Sequence, residues 1–117
     1  MNINWSSVLI GAIFTFFAQG GAWAQHNLQF KYPNLGPNWW GWYVAAIPIT
    51  WLFLNATKYT VEGFDGSVWS NRFIGFTIGI FVYAILTQYF FDQPITWKIG
   101  VQLMLALGIL LVQAFWK

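Results

Sequence analysis

Four apolar runs, each close to the length of a bilayer crossing, leave this chain few ways to fold. A membrane helix needs about 20 mainly apolar residues, and residues 5–24, 39–56, 71–91 and 95–116 each supply such a stretch. The polar segments "NLQFKYPNLGPN", "TKYTVEGFDGS" and "DQP" separate them. A soluble domain wets its surface with about a quarter charged residues, whereas here 7% are charged and 58% hydrophobic. All eight charged side chains fall at or near the ends of the runs. Lys98 is the deepest, about one turn inside the last run, from where its ammonium can reach the interface. The pattern predicts an all-α integral membrane protein: one domain over residues 1–117, four transmembrane helices, and both termini on the same side.

The aromatic residues agree with an even number of crossings. Trp and Tyr favour the headgroup level, because their rings are apolar while their N–H or O–H needs a partner. Trp5, Trp69 and Trp116 fall on one side of such a topology, and Trp39, Trp40, Trp42, Tyr89 and Trp97 on the other. The terminal side carries Lys58, Arg72 and Lys117 against Lys31 and Lys98 opposite. The positive-inside rule therefore leans to cytoplasmic termini, and the near balance also permits insertion in both orientations. "AWA" at 22–24 has the small-x-small form of a signal-peptide end, but no Lys or Arg precedes Lys31, so the basic n-region is missing. The absence of cysteine excludes a disulfide scaffold and thiolate metal or redox chemistry. The sparse positive charge excludes a nucleic-acid footprint.

Polar and small residues inside the runs mark faces meant for protein rather than lipid. In the first run Gly11, Thr15, Ala18 and Ala22 recur at spacings of three and four, a smooth stripe on one helix face. Small stripes let membrane helices approach closely. Gln19, Trp23 and His26 share a neighbouring face. An amide in hydrocarbon needs a partner in protein or water, so Gln19 either ties helices together or lines a cavity. His26 lies near the membrane surface, where an interfacial role competes with a cavity role. "GFTIG", 75–79, places Gly75 and Gly79 in a GxxxG pattern whose face Asn71 and Tyr83 extend. Pro48 removes a backbone donor within the second run. Glu62, Asp65 and Asp92 are all in loops, and one histidine and no cysteine build neither a metal cluster nor a catalytic constellation. No cofactor, metal site or enzymatic activity is expected.

The segment 89–115, "YFFDQPITWKIGVQLMLALGILLVQAF", resembles the final helix of the drug/metabolite transporter superfamily: an aromatic helix end, an acidic or amide turn with proline, then glycine, leucine and a second glycine on one helix. Phe90, Phe91, Asp92, Gln93, Pro94, Gly100, Leu103 and Gly108 carry the likeness. "LALGILLVQ" is similar to the dimer seam of small multidrug resistance proteins, with Gly108 in the place of the seam glycine. "WAQHNLQF", more loosely, resembles an uncharacterised branch of these small proteins. The likeness covers about a quarter of the chain well; beyond it, four short spans match the superfamily's single-repeat members in outline. It implies a bacterial-type inner membrane and a dimer. The chain departs at one place: the small multidrug exporters carry a membrane-embedded glutamate on helix one, and here Gln19, which has no proton to trade, stands roughly there.

Two functions follow. A transporter-like dimer would handle a neutral or amphiphilic small molecule in a cavity formed by Gln19, Trp23 and His26, with Trp51 and Tyr83 as aromatic walls. An accessory subunit would instead pack into a larger membrane complex through Gly75 and Gly79 or the Gly100–Gly108 face, without transport of its own. Lipid, and other copies or subunits, are the expected partners.

Overall fold

The computed structural model describes residues 3–116, and every regular element within them is helical. Helix α1 spans Trp5–Asn27, α2 Gly41–Gly63, α3 Val68–Phe91 and α4 Trp97–Phe115. Two short 3-10 turns, Leu28–Phe30 and Pro33–Leu35, fill the first connection. Three helical segments are long and apolar enough to cross a membrane: Trp5–Phe30, Val68–Phe91 and Trp97–Phe115. At 23 residues α2 is as long as α1, but Pro48, Thr50, Asn55, Thr57, Lys58, Thr60 and Glu62 dilute its apolar character. Lys117, part of the charge balance above, lies outside the described residues.

Capping chemistry sets the helix ends, and it moves several of the expected boundaries. Asn4, Ser67 and Thr96 each occupy an N-cap and accept from the backbone N–H three residues on, which satisfies one of the orphan donors of a first turn. Thr96 therefore starts α4 two residues later than residue 95, and Lys98 sits exposed in the first turn rather than a turn inside the helix. The apolar pattern of the second run fades at 56, yet α2 continues through Lys58 to Gly63. Charge at a membrane surface does not end a helix. What ends this one is the backbone at Asp65 and Gly66, both at positive φ, with Gly66 N–H donating to the Val61 carbonyl at 2.8 Å. Asp92 closes α3 in the left-handed conformation, φ 53, two residues before Pro94. That is a common helix stop.

Helix α1 is the hub. Helix α2 runs antiparallel along it, and glycines bring the two backbones together. A Cβ on Gly11 would lie 2.8 Å from the Thr60 backbone nitrogen, one on Gly63 2.8 Å from the Val8 nitrogen, and one on Gly21 3.0 Å from the Ile49 side chain. Asn4 N–H donates to the Gly63 carbonyl at 2.8 Å and pins the same end. The Gly11 stripe is buried at Thr15 and Ala18 as well, and partly at Ala22. On its other flank α1 meets α3, and α3 in turn carries α4. The α3–α4 contact is polar in part: the Thr77 hydroxyl reaches the Ala106 carbonyl at 3.2 Å, and Gln113 Nε2 donates to Ser70 Oγ. Ala106 is the one fully buried residue of α4 among those described.

The result is a slab, 48 × 36 × 18 Å. Its hydrophobic cluster is small, centred on Val8, Phe64 and Ile74. Most large apolar side chains point outward, among them Leu9, Ile13, Phe17, Leu105 and Phe115. On α2, Val44, Ile47, Trp51 and Leu54 form an exposed stripe of their own. Aromatic clusters lie toward the helix ends: Trp69 stacks on Phe73, and Trp39 meets Trp42 edge to face at 5.1 Å.

Candidate functional site

On one face of the slab the helices enclose a trough of about 740 Å³. One face of α3 supplies Asn71, Arg72, Gly75, Phe76, Gly79, Ile80, Tyr83 and Thr87, residues that recur every three or four positions and so stand above one another. Helix α1 adds Thr15 and Gln19; α2 adds Phe53 and Thr57; α4 adds Ile99, Gln102 and Leu103. The turn before α4 closes the far end with Gln93, Pro94 and Ile95.

Gln19 holds the middle of this arrangement. Its Nε2 lies 3.4 Å from the Gly75 carbonyl, and a Cβ on Gly79 would come within 2.9 Å of its amide carbon. The GxxxG face of α3 is therefore shaped to admit a side chain of α1, not a second helix backbone. Bonding to α3 and lining the trough prove compatible: one amide does both. Nothing lies within 4 Å of a Cβ on Gly75, so the room above it belongs to the trough.

The other candidate residues are dispersed. Tyr83 lines the trough, half exposed, with its hydroxyl donating to Asn27 Oδ1 at 3.0 Å. Trp23 is buried and turned away, donating from Nε1 to Thr87 Oγ1 at 3.1 Å and packing on Phe90 and Phe91. It borders a second, mostly apolar pocket of about 350 Å³ with Phe16, Phe17, Gly20 and Val82. His26 is exposed, and its Nδ1 hydrogen-bonds the Ala22 carbonyl of its own helix at 2.8 Å. Trp51 faces outward at 56% exposure and meets Phe14 edge to face. His26, Trp23 and Trp51 thus do not wall the trough that Gln19 and Tyr83 share; i, i+4, i+7 spacing had put Trp23 and His26 on one face with Gln19, and a helix side shared in sequence is wide enough to serve two different neighbours.

The glycines of α4 are open. Neither Gly100 nor Gly108 has an atom within 4 Å of a Cβ placed on it. Among the described residues of a single chain, then, Gly108 is in no tight helix contact.

Sequence reading missed Thr57, Thr87 and Gln102 as lining residues, and it weighed Arg72 only as an orientation signal. For the α3 residues the signal was present: Arg72, Phe76 and Thr87 continue the Asn71–Tyr83 face at helical spacing. For Thr57 and Gln102 it was absent, because only the packing of α2 and α4 beside α3 turns them inward. No cluster of three His, Cys, Asp or Glu side chains able to hold a metal occurs among the described residues. Comparison of the chain with protein-family models, curated proteins and solved structures returned no match.

Proposed function

We propose that the chain is a small transporter-like integral membrane protein, similar to the four-helix members of the drug/metabolite transporter superfamily, that acts as a dimer on a neutral or amphiphilic small molecule. One observation carries this reading. A trough whose mainly apolar walls carry amides, hydroxyls and Arg72 runs between helices whose outer surfaces are apolar. Amides and hydroxyls turned into a groove at hydrocarbon depth are expensive to maintain unless they meet a solute or water.

Two further features support it. Helix α2 follows α1 from Ile49, against Gly21, to Gly63, against Val8. At 1.5 Å per residue that contact runs about 21 Å, so an α1 that crosses the bilayer carries α2 across with it. All four helices then cross, and both termini share a side, the cytoplasmic one by the charge balance. One copy also leaves the trough open along a side and leaves the Gly100–Gly108 face of α4 uncovered. A second copy laid on α4 would enclose the trough, and nearly balanced flanking charge allows that copy to be inverted, as in the repeats of larger transporters.

The same bare face of α4 favours a second reading, an accessory subunit whose α4 is covered by an unrelated protein. Mass measurement of the purified protein in bilayer discs, combined with flux of uncharged and amphiphilic dyes in proteoliposomes, separates the two. Two copies per particle with saturable flux support the transporter. One copy with no flux, together with co-purification of a fixed partner from the native membrane, overturns it.

A further inference from the structure

We propose that the trough selects an amphiphile with an anionic head group, bound by Arg72 at one end and lying with its apolar body along the α3 face toward Gln19 and Tyr83. The proposal rests on the transporter-like reading for the use of the site, though not for its binding chemistry.

Charge in the trough is one-sided. Among the described residues Arg72 is the one charged residue that lines it, and Glu62, Asp65 and Asp92, the three acidic residues of the sequence, all lie outside the lining. Arg72 is the fifth residue of α3, in an exposed position beside Asn71, whose Nδ2 donates to Thr57 Oγ1 at 3.3 Å. A guanidinium at the mouth of a groove with low-dielectric walls attracts anions, and its planar fork suits carboxylate or phosphate in a bidentate pair. The arginine occupies the same end of α3 as Trp69 and Phe73, which stack on each other at 5.9 Å. That is headgroup depth for the helix.

The rest of the lining fits a long, mainly apolar body. From Arg72 to Thr87 the α3 face extends about 22 Å at 1.5 Å per residue. Along it Phe76, Ile80, Ala84, Phe53, Ile99 and Leu103 give apolar walls, interrupted by hydroxyl or amide groups but no further charge. A small hydrophilic anion would leave most of this length filled with water. An uncharged solute would leave the guanidinium unanswered. An amphiphile of roughly acyl length with one acidic head meets both conditions. A cationic amphiphile would fill the length but fail the second condition, because its head would meet a guanidinium and, among the described residues, no carboxylate in the trough.

The test uses the full chain in phosphatidylcholine discs, titrated with radiolabelled dodecyl phosphate and dodecanol, with empty discs as background. The expected result is a saturable site at which dodecyl phosphate binds at least tenfold more tightly than dodecanol, with inorganic phosphate at equal concentration failing to displace it. Arg72→Gln should erase the tenfold preference, and Arg72→Lys should keep most of it. Circular dichroism and melting should match the natural protein in both variants, since the side chain is exposed. Equal affinity for the two probes, or a preference that survives Arg72→Gln, overturns the anionic head. Displacement by inorganic phosphate overturns the apolar body. Repeating the titration in phosphatidylglycerol discs separates two sources of the same chemistry: competition assigns a membrane phospholipid, and its absence a single-chain solute. The chain has no cysteine of its own, so Phe76→Cys adds a clean probe. Disulfide linkage between copies at that position would show a second copy filling the trough and would overturn the proposal. Binding without flux in proteoliposomes would remove the transport reading and leave the binding proposal standing; flux of uncharged dyes that ignores Arg72 would do the reverse.

Discussion

Gln19 shows how one side chain can answer a packing problem and line a trough. In a lipid-facing position its amide would lack partners. Here it lies against two glycines of α3, with its nitrogen toward the Gly75 carbonyl and its carbon where a Gly79 side chain would be. Membrane hydrogen bonds of this kind average about 0.6 kcal/mol. Gln19→Leu should therefore shift the melting temperature in detergent only slightly while removing most of any solute flux; a large loss of stability with flux per folded molecule unchanged would show a purely structural amide. Gly11→Leu should be far more damaging, because a Cβ there would already lie 2.8 Å from the Thr60 backbone nitrogen, which cannot swing aside, and overpacking costs about 1–3 kcal/mol. Gln19 also has no proton to exchange. Flux through the natural protein should then be indifferent to an imposed pH gradient, and a gradient-driven flux that persists in His26→Ala would locate a coupling group elsewhere. That Gln19 faces protein was legible in the sequence, since an amide inside an apolar run needs a partner. Its partner was not, because the GxxxG pattern on α3 reads equally well as a seat for another helix.

At the level of helices, composition told where the apolar surface is, and capping told where each helix stops. The apolar run of α2 ended at 56 by composition, while the helix itself persists to Gly63 because nothing before Asp65 and Gly66 breaks the backbone. Asp92 is the clearest stop of this kind. It holds φ 53 at the end of α3, a conformation that costs most L-residues about 1–2 kcal/mol and glycine essentially nothing. Asp tolerates it better than most, so Asp92→Gly should raise the melting temperature modestly and Asp92→Val should lower it; identical melting curves for the two variants would mean the turn relaxes freely. The face of α4 is read from "LALGILL" as a seam, and among the described residues no atom outside its own helix lies within 4 Å of a Cβ placed on Gly108. A seam between copies makes a distinct prediction. Gly108→Leu should leave helix content and monomer stability unchanged yet shift the protein from dimer to monomer in detergent, measured by light scattering. An unchanged dimer would place the contact elsewhere on the surface.

The molecule as a whole is a slab with its trough on one side. Three helices have the length and apolarity to cross a membrane, and the fourth is bound to the first of them along most of its length through Gly21, Gly11 and Gly63. Dragging α2 out of the bilayer while α1 stays in would separate backbones in close approach at Gly11 and Gly63, strip the Ile49 side chain from Gly21 and strand the Asn4–Gly63 hydrogen bond. On the proposed reading the number of crossings is even. Single cysteines introduced at Asn4 and Trp116, in a chain with none of its own, report it directly. With a membrane-impermeant thiol reagent on sealed vesicles, both positions should be labelled from the same side in any one molecule. If copies insert both ways, each position should be labelled from both sides in equal proportion, and the variant with both cysteines should be labelled twice or not at all. Molecules labelled at one end only would mean an odd number of crossings, α2 lying along the surface, and a trough open to water rather than to lipid. That outcome would also remove the reason for a hydrocarbon-depth groove to exist, so the topology measurement decides the premise on which the transport reading stands.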